Sequence, residues 1–285
     1  MDAVPYDFIE RTVLLASAGF HSSGMSSPFS LLRGHWGRFT SRLAAETVYY
    51  ELILHLPTSH VPYLTYNVSH LGTRVEKLLQ MKYTSLTYIS IVGDDVIGKL
   101  SDLQSAEMVQ DLFKRSIGVT NVFIDDDAKD LTPVVALLEA IPRVQSIRFP
   151  NPPEAPAMDV VSSLVEKHVR QGYLKALDIS GHPIPRNYLP LVRMFIDESD
   201  FYCFGASFSL EDDDYATEVM RMMSASVKRR LHSCSEVHVR ARRTLIDELK
   251  RELGEIAGES LQKVKFTELC FDDVGVCVRF WWTDV

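Results

Sequence analysis

Val144-Gln145-Ser146-Ile147-Arg148-Phe149 carries apolar residues at its first, fourth and sixth positions, and this six-residue frame recurs along the chain. Seven copies, spaced 25 to 33 residues apart, begin at Leu86, Val119, Val144, Leu174, Phe201, Cys234 and Leu261. The last three are looser than the first four. Helix-like patterns fill nearly every interval between the copies. A strand followed by a helix, repeated at this scale, is typical of a solenoid or a parallel α/β sheet.

The repeat length resembles that of leucine-rich repeats. We therefore predict an α/β fold in the form of an irregular leucine-rich-repeat-like solenoid, a curved parallel sheet with helices on its convex side. A small helical unit over residues 1–45 precedes the repeat domain, which spans residues 46–285. Two strand-like runs, residues 264–271 and 276–282, flank Asp272-Asp273-Val274-Gly275 and predict a C-terminal β-hairpin cap. A flatter, doubly wound sheet is the alternative architecture.

Composition narrows the class of protein. The chain has 285 residues, a formal net charge of -8 and a pI near 5.6, which argues against a dedicated nucleic-acid binder. We expect no membrane span and no secretory signal, because no apolar run is long enough and the N-terminus is acidic. The four cysteines lack zinc-ligand spacing and are expected to be reduced. These features predict a cytoplasmic or nuclear protein.

Catalytic motifs do not stand out. The sequence has neither a phosphate-binding loop nor a nucleophile elbow, and its histidines do not pair at metal-ligand spacing. Acidic runs at residues 94–95, 125–127 and 211–214 follow predicted strands, and we expect them to solvate turns and helix starts. Their alternative role is that of Asp94, Asp125 and Asp127 in a magnesium-dependent α/β enzyme. We predict a non-enzyme without metal or cofactor.

The N-terminal helical unit carries the functional hypothesis. Val4-Pro5 opens a short helix, and a second helical pattern runs from Phe29 to Leu43. The candidate partner-binding residues are Pro5, Phe8, Ile9, Val13, Leu31, Leu32 and Trp36. A Pro near the start, apolar residues on a helix and a Trp in a basic context resemble an F-box, and the whole plan is similar to the large F-box families of nematodes.

The resemblance implies a protein–protein adaptor. Its head would bind a Skp-type adaptor of a cullin ubiquitin ligase, and its repeat face would hold a protein target. Two other interpretations remain open at this point. Residues 1–45 would be a helical cap on the first repeat, or the chain would be a repeat scaffold that binds a partner without ligase coupling.

Overall fold

The computed structural model describes residues 4–16, 27–56, 75–93, 106–128, 130–151, 157–229, 236–259, 262–270 and 275–284. The helices are α1 (Tyr6–Ala16), α2 (His35–Glu46), α3 (Val75–Leu79), α4 (Ala106–Lys114), α5 (Val135–Ala140), α6 (Ala157–Arg170), α7 (Leu189–Glu198), α8 (Asp213–Arg229) and α9 (Arg243–Glu259). Short 3-10 helices lie at Pro28–Leu31, Thr132–Val134 and Arg186–Tyr188.

Strands alternate with the helices along the chain. They are β1 (Val48–His55), β2 (Thr84–Val92), β3 (Thr120–Ile124), β4 (Val144–Arg148), β5 (Ala176–Ile179), β6 (Cys203–Ser207), β7 (Glu236–Arg242), β8 (Gln262–Cys270) and β9 (Gly275–Asp284). The fold class is therefore α/β, and the nine strands of the described residues build mostly parallel β-sheet.

Two compact units divide the chain, one of residues 1–123 and 130–144 and the other of residues 124–129 and 145–285. In the first unit β1, β2 and β3 are neighbours in chain order, and β1 pairs with β2 in parallel. Its helices pack α1 on α2, α3 on α4 and α4 on α5. Parallel strands that are neighbours both in the sheet and along the chain must be joined by a crossover connection. The helices between these strands provide it.

The second unit has the strand order β4-β5-β6-β7-β9-β8. The pairs from β4 to β7 are parallel, whereas β9 is antiparallel to both β7 and β8. The predicted C-terminal hairpin is thus present, and it joins the sheet through β9. Helices α6, α7, α8 and α9 each pack on the next one in the chain.

The repeated frame marks the buried face of the strands. Leu86, Ile89 and Ile91 on β2 are fully buried, and so are Leu177 and Ile179 on β5. Residues two apart on a strand point to the same side, so the fourth and sixth positions enter the core together. The same holds for the copies that begin at Val119, Val144 and Phe201.

The prediction that the seventh copy of the frame forms a repeat unit is wrong. Its Phe266 lies on β8 and is 51% exposed, and β8 runs antiparallel to β9. The apolar spacing of residues 261–266 therefore reflects a strand at the end of the sheet order, where one side has no neighbouring described strand. A local pattern cannot distinguish that position from an interior one.

Strand ends are shaped by short polar side chains. The Asp178 Oδ1 atom accepts hydrogen bonds from the Ser180 backbone N–H at 3.1 Å and from the Ser180 hydroxyl at 2.5 Å. The Asp125 Oδ1 atom accepts from the Asp126 N–H in the same way, at 2.7 Å. Such local bonds satisfy backbone donors where each strand gives way to a turn.

Candidate functional site

Helix α1 is amphipathic, and its register decides which residues face outward. The backbone N–H groups of Phe8 and Ile9 donate to the Pro5 carbonyl at 3.1 and 3.2 Å, which starts the helix directly after the proline. Residues four apart share a face, so Ile9 and Val13 point the same way. Both are buried. Phe8 and Leu15, seven residues apart, lie together on another face and are exposed.

The buried face of α1 packs on α2. Ile9 and Val13 form one core cluster with Phe39 and Leu43 of α2 and with Tyr83, which immediately precedes β2. The Phe39 and Tyr83 rings meet edge to face with centroids 6.5 Å apart. Because Tyr83 lies outside residues 1–45, the N-terminal helices are part of the core of the first unit.

A turn between Ser27 and Gly34 interrupts the predicted helical pattern of residues 29–43. Leu32 has an extended backbone, with φ −77° and ψ 149°, and Gly34 has φ +76°, which a residue with a side chain rarely adopts. Gly37 comes so close to the Leu32 carbonyl that a Cβ would lie 2.1 Å from the oxygen. These glycines let the chain turn sharply before α2, and the turn leaves Leu31 and Leu32 exposed.

Exposed apolar side chains concentrate on these segments. Of the seven large apolar side chains that are exposed in the described part of the chain, five belong to residues 6–32. They are Tyr6 (64%), Phe8 (57%), Leu15 (58%), Leu31 (87%) and Leu32 (46%). We call these five residues the apolar head surface. Exposed apolar side chains that lie together mark interaction sites more often than scattered ones do, and Phe8 and Leu15 share one face of α1.

Polar contacts tie α1 to α2 beside this surface. The Glu10 carboxylate lies 3.4 Å from His35 Nε2 and 3.7 Å from a guanidinium nitrogen of Arg42. The Tyr6 ring packs on the His35 ring with centroids 4.1 Å apart, and the Arg42 guanidinium lies 5.4 Å from the Phe39 centroid. These contacts hold the orientation of the two helices and therefore of the side chains that they expose.

The structure separates the predicted partner-binding residues into three groups. Pro5, Phe8, Leu31 and Leu32 are exposed. Ile9 and Val13 lie in the core, as described above, so direct contact with a partner is not available to them. Trp36 is half-buried and stacks on Phe29, with ring centroids 5.5 Å apart and an angle of 15° between the planes.

Sequence reasoning missed Tyr6 and Leu15. The spacing of Leu15 seven residues after Phe8 was a signal for a shared helix face. Tyr6 follows Pro5 directly, and only its packing on His35 shows that its ring lies beside the junction of the two helices.

The acidic run at residues 211–214 has structural partners. Asp212 caps α8 by accepting from the Tyr215 N–H at 3.2 Å, and it binds the Arg186 guanidinium with both carboxylate oxygens. The hydrogen bond from Arg186 lowers the pKa of Asp212. Asp94 lies outside the described residues. Across the part of the chain that the structure describes, no group of three or more His, Cys, Asp or Glu side chains is arranged to hold a metal ion.

No protein-family model matches the chain, and neither a curated protein nor a solved structure is significantly similar to it. Among the described helices, none combines the length and the apolar composition needed to cross a membrane.

Proposed function

We propose that the protein is a protein–protein interaction adaptor, the substrate-recognition subunit of a Skp-cullin-F-box-type ubiquitin ligase. In this proposal the apolar head surface binds the Skp-type adaptor, and the strand–helix repeats hold a protein target. The protein acts in the cytoplasm or nucleus, where such ligases operate. It needs neither a cofactor nor a metal for this role.

The observation that carries the proposal is the two-sided character of the N-terminal helices. One side of α1 is anchored in a core through Ile9 and Val13, whereas the other presents Phe8 and Leu15 to solvent. A helix face of this kind, laid into an apolar groove, is a recurring mode of recognition in which a few anchors supply most of the affinity.

A leucine-rich-repeat-like arrangement within each unit is the finer part of the proposal. Its support is the chain-order succession of strands and the packing of each helix on the next. A doubly wound sheet has a reversal in its strand order, and neither β1-β2-β3 nor β4-β5-β6-β7 contains one. This arrangement leaves one sheet face for a target.

A repeat scaffold without ligase coupling is the second candidate function. The observation in its favour is that Phe39 and Leu43 share a core cluster with Tyr83, so the head also stabilises the first unit. Under this alternative, the apolar head surface binds no Skp-type adaptor, and variants at exposed head residues leave every interaction of the protein unchanged.

Co-precipitation separates the two candidates. The full chain, carrying an affinity tag, is expected to retain a purified Skp-type adaptor, and Phe8→Ala combined with Leu31→Ala is expected to abolish the retention. Phe266→Ala is the matched control, because Phe266 is an exposed phenylalanine of similar exposure in the second unit. Absence of the adaptor from the wild-type precipitate, or equal retention by the double variant, contradicts the adaptor proposal.

A further inference from the structure

One face of the sheet in the second unit is polar. On β7, Val237 and Val239 are buried, whereas Glu236, His238 and Arg240 point to the opposite side and are only half-buried. Helix α9 packs on β7, β8 and β9. Its Lys250 reaches the Phe266 ring, which is in register with the buried Phe280. Helix α9 therefore covers the apolar face of β7, β8 and β9. We call the opposite side, with Arg148, Asp178, Glu236, His238, Arg240 and Arg279, the open face.

Strand register aligns a row of side chains across the open face. Arg148 on β4 pairs with Asp178 on β5, which is followed by Gly205, His238 and Arg279 on β6, β7 and β9. The Arg148 Nε atom lies 3.2 Å from an Asp178 carboxylate oxygen. Gly205 makes room for that carboxylate, since a Cβ there would lie 2.4 Å from Asp178 Oδ1. The guanidinium groups of Arg148 and Arg279 therefore lie at the two ends of this row, with β6 between them.

A second group of contacts lies one row away. Glu236 pairs with both Arg279 and His238. Burial raises the pKa of the neighbouring Cys203 thiol to about 12, Glu236 and Asp178 add to the rise, and Arg279 and Arg148 oppose it. Cys203 lies on β6 two residues before Gly205 and in register with Glu236, so its side chain is on the open face.

The open face is basic although the chain as a whole is acidic. Its charged side chains, with the neighbouring Lys265 of β8 included, are Arg148, Arg240, Lys265, Arg279, Asp178 and Glu236. Arg242, at the end of β7, forms an ion pair with Asp213 of α8. Arg148 and Arg279 are 60% and 56% exposed. Positive charge dominates this surface, whereas the chain carries a formal net charge of -8.

We propose that the open face binds an extended acidic polypeptide segment of a target protein, with Arg148 and Arg279 as the principal contacts for its carboxylates. This inference rests on the proposed function, of which it names the target class. Exposed guanidinium groups suit carboxylates because they offer paired N–H donors in one plane. Complementary charge across such a surface fixes the partner and speeds its association.

The same charges favour an acidic polypeptide over a nucleic acid. Asp178 and Glu236 lie between the two arginines, where they repel a continuous row of phosphates, and the net charge of the chain adds to the repulsion. An acidic peptide carries its carboxylates on separate side chains. It can place these carboxylates beside the two arginines, and its uncharged residues can lie beside Asp178 and Glu236. The six strands of this unit, about 4.8 Å apart, are crossed by roughly seven residues of extended chain.

The test uses the full chain and a fluorescent peptide of about ten residues in which glutamate and serine alternate. We expect binding that weakens as salt is raised, and an affinity about tenfold lower for Arg148→Gln combined with Arg279→Gln. The control variant is Arg170→Gln combined with Arg251→Gln. It makes the same charge change at exposed arginines of α6 and α9 that pair with Glu166 and Glu255.

The inference is overturned if the glutamate peptide does not bind, if its glutamine counterpart binds equally well, or if the control variant shows the same loss. Tighter binding of a single-stranded RNA of similar length also overturns it. Thermal melts confirm that each variant is folded. The adaptor proposal is tested separately through Phe8 and Leu31. If the protein binds the Skp-type adaptor but not the peptide, only the inference about the open face is wrong. If it binds the peptide but not the adaptor, only the adaptor role is wrong.

Discussion

Gly205→Ala tests the packing at the centre of the open face. The new Cβ would lie 2.4 Å from Asp178 Oδ1, 3.0 Å from its Cγ and 3.3 Å from its Cα. The carboxylate must rotate away, and it then loses both hydrogen bonds from Ser180. Hydrogen bonds to a charged acceptor contribute about 1.5–3 kcal/mol each, and crowding a packed site costs about 1–3 kcal/mol. Because Asp178 is partly exposed, water replaces part of the loss, and we expect about 2–4 kcal/mol of destabilisation.

Urea unfolding of four variants measures this effect. Asp178→Ala removes the carboxylate, so Gly205→Ala in that background is expected to add little destabilisation, and the cycle should show a coupling of about 2 kcal/mol. Gly254→Ala is the control: it lies inside α9 with nothing within 4 Å of its Cβ position, so it should stabilise by about 0.5–1 kcal/mol. A fully additive double variant, or Gly205→Ala as stable as the wild type, refutes the packing argument.

Two further predictions concern buried titratable groups. His168 of α6 is fully buried, and burial lowers its pKa from 6.5 to about 4. The neutral imidazole is therefore favoured in the folded state. When the pH is lowered from 7 to 4, the free energy of unfolding measured with urea should fall by about 3 kcal/mol more for the wild type than for His168→Gln. A parallel loss in both proteins contradicts this. Burial raises the pKa of Cys203 from 9.0 to about 12. Iodoacetamide at pH 8 should therefore label Cys203 about a thousandfold more slowly in the folded than in the unfolded chain, as peptide mass mapping would show, whereas similar rates would disprove the assigned environment.

The strands were predictable because their signal is local. Alternation along five or six residues is enough to show which side chains are buried, as it does for Ile147 on β4 and for Phe149 directly after it. The order of strands was not contained in that signal. Phe266 has the same apolar spacing as its counterparts, yet its exposure follows from the position of β8 beyond β9 at the end of the strand order.

The candidate site was predictable only in part, for a similar reason. Periodicity identified α1 as amphipathic and marked Phe8, Ile9 and Val13 as apolar. Which of its faces is covered depends on Tyr83, far along the chain, so the sequence alone did not show that Ile9 and Val13 are buried. The open face depends on register between distant strands, such as Arg148 beside Asp178, and single-strand patterns carry no information about that.

Hydrogen–deuterium exchange on the purified chain, with and without a Skp-type adaptor, shows whether the N-terminal helices bind the adaptor. We expect slower exchange of backbone amides within α1 and the 3-10 helix Pro28–Leu31 when the adaptor is present, and loss of that protection in Phe8→Ala combined with Leu31→Ala. The core amides of β2 and β5 should exchange at the same rate in both states. Unchanged exchange in α1, or protection confined to other segments, would contradict the assignment of the head as the adaptor-binding element.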